Sequence, residues 1–142
     1  MSQFNDLNFA CAPLMAHLHQ KSFDTPWTQQ DFEQLLKLPS TKGLISENAM
    51  IVCSICGEDA EILTLCVNPQ DRRKKIASQM LTEICPYLKK FQVATLFLEV
   101  NVNNTPALNL YKKCNFQQVG RRKDYYKTKL GRQDALILQK KL

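Results

Sequence analysis

Glu99 interrupts an otherwise apolar run from Leu96 to Val100, and Tyr111 follows on a stretch with helical spacing. A carboxylate inside an apolar strand is costly unless it faces a cleft, meets a partner or changes its protonation. In a cleft it can take a proton from an incoming nucleophile, and a nearby phenol can return one to a leaving group. Both residues also have plain explanations: Glu99 as an outward-facing strand residue, Tyr111 as part of a helix's core face. A second stretch, LTLCVNPQDRRKKIASQML, runs from an apolar strand through a turn at Pro69 into the basic segment Arg72-Arg73-Lys74-Lys75, which opens a helix. Free N–H groups at a helix start, with the dipole behind them, make an anion site, and basic side chains raise the local potential. The same pattern also suits a structural crossover with a solvated basic turn.

The six cysteines, Cys11, Cys53, Cys56, Cys66, Cys85 and Cys114, contain a single C-x-x-C pair. No second pair stands at zinc-ribbon spacing, and strand alternation puts Cys53 and Cys56 on opposite faces. They are read as small buried hydrophobes, and no metal is expected. The chain's 142 residues suit one domain spanning 1–142. With 44% hydrophobic and 23% charged residues, the composition is that of a globular protein rather than a disordered one. No apolar run approaches the roughly 20 residues of a membrane span. The opening MSQFNDLNFA has no basic-then-apolar export pattern, so a cytoplasmic location is expected.

Charge is uneven. Residues 1–71 carry three lysines against nine acids, a net −6; residues 72–142 carry eleven lysines and five arginines against four acids, a net +12. Such a split suits an anionic ligand or nucleic acid for the second half and a basic partner for the first, although solvated lysine faces explain much of it equally well.

The elements that must position these residues follow from periodicity. Pro13 to Phe23 predicts a helix with Leu14, Met15, Leu18 and Phe23 inward. Thr28 with Asp31 three residues on predicts an N-cap for a second helix, with Phe32, Leu35 and Leu36 inside and Pro39 as its stop. GLISE, AMIVCSIC and AEILTLCV predict a meander of three strands, and the near-continuous apolar run of the third predicts a central strand buried on both faces. Ile76, Met80, Ile84 and Leu88 give the next helix its inner face, with Pro86 kinking or ending it near the last turn. VATLFLEV predicts a strand, Thr105 to Lys113 a helix, FQQVGRR a strand, Tyr125-Tyr126 a loop and DALILQKK a final strand. A further strand fits within the first eleven residues. The order predicts an α/β fold: a mixed sheet with helices on both faces.

Taken in order, these stretches resemble the GNAT superfamily of acetyl-CoA-dependent N-acetyltransferases, and more closely the bacterial ribosomal-protein-alanine N-acetyltransferase family. That family's Q/R-x-x-G-x-G/A motif aligns with Arg72 to Ala77, and its L-E-V-R-x-S-N-x-x-A-x-x-L-Y with Leu98 to Tyr111. Its G-F, R-x-x-Y-Y and G-x-x-D-A elements recur as Asn115-Phe116, Arg122 to Tyr126 and Gly131 to Ala135. Its P-W-S/T followed by F matches Pro26-Trp27-Thr28 and Phe32. Each piece is weak alone; the ordered set spans nearly the whole chain.

The resemblance implies a GNAT fold, with a mostly antiparallel sheet splayed to admit the cofactor, and direct transfer of acetyl from acetyl-CoA to an amine. It assigns Leu65, Cys66 and Val67 to the acetyl and pantetheine groups. Arg73, Lys74, Lys75, Ile76, Ala77 and Ser78 go to the pyrophosphate, and Arg72 and Asn104 to the cofactor. Glu99 would be the general base, through water, and Tyr111 the general acid toward the CoA thiolate, with Trp27, Tyr125 and Tyr126 lining the acceptor. The implied acceptor is the N-terminal alanine of a small-subunit ribosomal protein, with no membrane and no direct nucleic-acid partner. The alternatives are transfer to lysine or small-molecule amines, or a non-catalytic domain binding CoA or RNA. Three positions depart from the pattern. Lys75 stands where the family has Gly, tolerable if its backbone is right-handed helical, with an ammonium that adds attraction for phosphate. Asn115 replaces the Gly before Phe116, and Asn is the best non-Gly residue for a left-handed turn. Asn101 and Asn103 replace Arg and Ser beside Glu99.

Overall fold

The computed structural model describes residues 3–142; Met1 and Ser2, the first residues of the expected 1–142 domain, lie outside the described residues. Seven strands form one sheet: β1 (Asn5–Asp6), β2 (Thr41–Ile45), β3 (Ala49–Cys56), β4 (Asp59–Val67), β5 (Thr95–Asn101), β6 (Gln117–Thr128) and β7 (Gly131–Lys141). Their spatial order is β1-β2-β3-β4-β5-β7-β6, and every neighbouring pair is antiparallel except β4 with β5. Among the described residues four α-helices complete the fold: α1 (Ala12–Ser22), α2 (Gln29–Leu36), α3 (Ile76–Lys89) and α4 (Thr105–Lys113). Among the described residues no helix is long and apolar enough to cross a membrane.

The sheet is covered on both faces. Met80, Leu81, Ile84 and Leu88 of α3 pack with Ile51, Leu96, Leu98 and Val100 into one core. Met15, Leu18 and Phe32 of α1 and α2 pack with Met50, Val52 and Cys66 into the other. Because both layers close over β3, five successive residues, Ala49 to Cys53, are buried, and β3 is the strand sealed on both faces. The expectation that β4 would be that strand is corrected. Asp59 and Glu61 are exposed, and from Ile62 on its residues alternate between buried and half-buried, because Leu63, Leu65 and Val67 also wall an open cleft.

The capping box at Thr28 and Asp31 is present, with Asp31 N–H donating to Thr28 Oγ1 at 3.1 Å and Thr28 N–H to Asp31 Oδ2 at 2.9 Å. Phe23 lies outside α1, exposed, instead of facing inward. Helix α3 continues through Pro86 for three more residues. The basic segment precedes α3 rather than forming its first turn. Tyr125 and Tyr126, expected in a loop, lie on β6, which is far longer than its apolar pattern suggests. All six cysteines are free thiols, but only Cys53 and Cys66 are buried; Cys11, Cys85 and Cys114 are half-buried and Cys56 is exposed on a strand end, so the expectation of six buried thiols is corrected.

Candidate active site

A bulge opens the sheet. Between β3 and β4 the register steps from Val52↔Thr64 to Cys53↔Ile62, leaving Leu63 as the extra residue. Bulges bend the strand that carries them. The parallel pairing of β4 with β5 covers only Asp59↔Thr95, Ala60↔Leu96 and Glu61↔Phe97, and ends just before this bulge. Beyond it β4 stays with β3 while β5 follows β7, so the strands part and a cleft of about 1300 Å³ lies between them.

Glu99 and Tyr111 both line that cleft. Glu99 stands on the face of β5 opposite buried Leu98 and Val100, its side chain 16% exposed. Its Oε1 forms an ion pair with Arg122 Nε at 2.8 Å, and the Tyr125 hydroxyl donates to the same carboxylate. That carboxylate is the main reason the Tyr125 phenol is held above its ordinary range. Tyr126 lines the cleft, its phenol pushed up to about 12 by burial and then by Glu99.

Tyr111 is fixed by how α4 ends. Asn115 adopts φ 69°, the left-handed turn expected of it, and Asn115 N–H reaches Lys112 O at 3.1 Å while Phe116 N–H reaches Tyr111 O at 3.0 Å. That paired pattern is a Schellman motif, completed by an edge contact between the Tyr111 and Phe116 rings at 5.5 Å. Burial, with smaller contributions from Tyr126, Cys114 and Cys66, pushes the Tyr111 phenol up to about 12.

The far end of the cleft is bounded by Arg72, Arg73, Lys75, Ile76, Ala77 and Ser78. No side chain caps α3, so its first N–H groups have no partner within the helix. Lys75, the residue just before α3, has φ 62° and ψ 21°, and Arg73 has φ 68°. The condition that would make a lysine easily tolerated there, a right-handed backbone, is therefore not met. The chain needs the left-handed turn that Gly makes freely, and a lysine is held in it at a cost of roughly 1–2 kcal/mol. Lys74 does not line the cleft; its Nζ pairs with Asp71 at 3.0 Å. Leu65, Cys66 and Val67 form the β4 wall, and the Cys66 thiol is pushed up to about 11 by burial. Asn104 sits at the rim with its Oδ1 accepting from Ala107 N–H at 3.3 Å, capping α4. Trp27 lines the α1–α2 side; Tyr125 does not reach the cleft.

The sequence profile of the Acetyltransferase (GNAT) family matches residues 12–116. The chain belongs to this family. It is 28% identical over 144 residues to the ribosomal protein bS18-alanine N-acetyltransferase of Escherichia coli (strain K12), covering 97% of this chain and 96% of that relative. It is 34% identical over 127 residues to a putative enzyme of the same name from Bacillus subtilis (strain 168), covering 85% and 83%. A crystal structure of the Escherichia coli ribosomal-protein-S18-alanine N-acetyltransferase superimposes with a TM-score of 0.88 at 26% identity, covering 99% of this chain and 94% of that one. As a GNAT enzyme the protein is an N-acetyltransferase whose acetyl donor is acetyl-CoA. The site suits that donor: an apolar trough between parted strands, ending at uncapped amides flanked by cations. Among the described residues no group of three His, Cys, Asp or Glu is arranged to hold a metal ion.

Three site residues escaped the sequence reading of the GNAT pattern. Arg122 holds Glu99, and only the strand order β5-β7-β6 brings them together. Asp134 accepts from Arg121 Nε at 2.6 Å and from Asp124 N–H at 2.8 Å, pinning the irregular stretch of β6 that precedes Tyr126. Their signal was the family's R-x-x-Y-Y and G-x-x-D-A spacing, read there as resemblance rather than as contact. His19, buried in the wall beside Trp27, gave no signal beyond its residue type.

Proposed function

We propose that this protein acetylates the N-terminal α-amine of a protein, with a small-subunit ribosomal protein beginning in Ala as acceptor. On this reading residues 1–142 act as one cytoplasmic catalytic domain. The relatives' named activity supports it. The observation that carries it is the parting of β4 and β5 with Glu99 and Tyr111 both on the resulting cleft.

The main-chain amides at the start of α3 bind the donor's pyrophosphate, and Arg73 and Lys75 add positive charge there. Along β4 past Glu61, the edge turned from β3 has no partner strand among the described residues, which offers its amides and carbonyls to the pantetheine arm and the thioester oxygen. Donors aimed at that oxygen stabilise the charge that develops on it. Glu99, oriented by Arg122 and Tyr125, takes the proton that the amine sheds, through a water. An α-amine titrates near ~8 against about 10.4 for lysine, so a carboxylate relay suits the former. The amine nitrogen bonds to the acetyl carbon, the carbon–sulfur bond breaks, Tyr111 donates to the departing sulfur, and the second proton lost from the nitrogen returns through water to the phenol. With its phenol pushed up to about 12, Tyr111 stays a neutral donor across the working pH range. The same burial raises the basicity of a thiolate released in the cleft, which narrows the gap between them.

Incubation of the purified protein with labelled acetyl-CoA and a short peptide beginning in Ala tests the proposal. Transfer to the α-amine is expected, and N-terminal blocking of the peptide abolishes it. Transfer to polyamines or internal lysine but never to a free N-terminus overturns the acceptor assignment.

A further inference from the structure

The connection from α1 to α2 holds a compact aromatic group against the cleft. The His19 ring stacks on Phe23 with centroids 4.3 Å apart and on Trp27 at 4.8 Å. Phe32, from α2, meets both His19 and Trp27 at 5.4 and 5.6 Å. His19 is 3% exposed. Its Nδ1 accepts the Trp27 main-chain N–H at 2.9 Å, a hydrogen bond that ties the body of α1 to the Pro26-Trp27 stretch. Burial holds the imidazole below its ordinary value, so the lone pair that takes this hydrogen bond is present at neutral pH. With Nδ1 occupied as an acceptor, the ring proton sits on Nε2. No lone pair remains for base catalysis, which leaves Glu99 without a rival in His19.

Thr25 and Trp27 line the cleft from this connection, and Tyr111 and Tyr126 line it from α4 and β6. We propose that His19 is a positioning residue for the acceptor: by holding Trp27 through Nδ1 and the ring stack, it fixes one wall of the site that receives the acceptor's first residues. The inference rests on the protein-acceptor reading above and adds to it the element that sets that wall. A loop held in place before binding spares the complex the entropy of ordering it. Releasing it therefore weakens acceptor binding and leaves the donor end untouched.

Two replacements separate the ring from its acceptor atom. His19→Phe keeps a stacking ring and loses the acceptor; His19→Asn loses the ring and keeps an oxygen close to the Nδ1 position. For His19→Phe the KM for an Ala-starting peptide rises about three- to tenfold, the span of one lost hydrogen bond, while kcat and the KM for acetyl-CoA change less than twofold. Trp27 is the only tryptophan, so its emission reports this wall alone. Acrylamide quenches it more in His19→Phe than in wild type, and His19→Asn lies nearer wild type in both readouts. Unchanged peptide KM and quenching in His19→Phe overturn the proposal. So does a fall in kcat or acetyl-CoA affinity as large as the change in peptide KM. Should His19→Phe fail to fold, His19→Gln replaces it: its amide reaches the Nε2 position instead of Nδ1, and behaviour equal to His19→Asn overturns the proposal. A wild-type protein that acetylates no peptide overturns the acceptor reading itself. The hold on Trp27 is then judged on quenching, where equal values in all variants overturn it.

Discussion

At the α3 end of the cleft the groups on offer are main-chain amides and solvated cations, whereas around Glu99 and Trp27 the side chains are already held by one another. Nothing caps α3, and Lys74, the one cation of its turn with an ion pair, is spent on Asp71. At the other end Arg122 and Tyr125 hold Glu99, Asp134 pins the bend before Tyr126, a Schellman motif fixes Tyr111, and His19 holds Trp27. The difference separates two tasks. Binding a phosphate-bearing donor needs charge and backbone, which survive many substitutions. Moving protons needs particular atoms in particular places, which do not. Substitutions at the first end should therefore shift donor affinity, and those at the second should leave it alone, shifting turnover at Glu99 and Tyr111 and acceptor affinity at His19.

The largest effect tests the second half of that statement. Glu99→Gln should lower kcat by about 10²–10⁴, the range for a positioned base, with acetyl-CoA affinity by calorimetry unchanged. A loss of donor affinity as large as the loss of turnover would erase the division. Tyr111→Phe comes next, with a fall in kcat of about 10², the low end of the same range, because a water can partly replace the phenol. Its pH dependence has a definite sign. Neutral Tyr111 is the competent form and its phenol lies at about 12, so wild-type activity shows no alkaline loss from this residue until pH approaches that value. The same raised value makes the fold lose stability as pH climbs from about 10, where an unfolded tyrosine ionises, toward 12. A kcat profile with an alkaline limb near 10 that vanishes in Tyr111→Phe would contradict the burial.

How much of this was legible in sequence depends on whether the cause was local. Glu99 stood out because one charge in an apolar strand breaks a pattern, and the Thr28–Asp31 box is a four-residue signal. The extent of β6 was not legible. Its register slips at Val119 and again between Arg122 and Tyr126, so its residues never alternate. The apolar run of β4 was legible as apolar but misled about why: half of it lines a cleft, and a cleft wall and a core have the same composition. Arg122 with Glu99 required the strand order, which no stretch of sequence contains.

Two smaller predictions sharpen the contrast from the donor end. Lys75 and Asn115, both placed by the resemblance where a glycine is expected, both hold left-handed backbone, at φ 62° and 69°. Lys75→Gly removes an unfavourable conformation and a charge together. Relief of about 1 kcal/mol raises Tm by roughly 2–6 °C for a chain of this size. Loss of the ammonium weakens acetyl-CoA binding a few-fold and flattens its salt dependence, with kcat unchanged. A fall in Tm would mean that the ammonium stabilises the free protein by more than the turn costs.

Asn115→Gly is the control, and it has the smallest expected effect. Asn enters the left-handed region more readily than Lys because its short polar side chain can bond locally, so less strain is there to relieve. Glycine also has more freedom to lose on folding, which offsets the gain. Melting should move by less than about 2 °C, with donor affinity and kcat unchanged. The two substitutions put the same residue at nearly the same backbone angle, one beside the donor's phosphate amides and one behind Tyr111. Any excess of Lys75→Gly over Asn115→Gly in Tm measures the strain particular to lysine, and any excess in acetyl-CoA affinity measures its charge. If Asn115→Gly instead lowers kcat while leaving Tm alone, the turn at Asn115 sets the aim of Tyr111 as well as ending α4, and the proton-moving end of the cleft reaches back into its supporting turn.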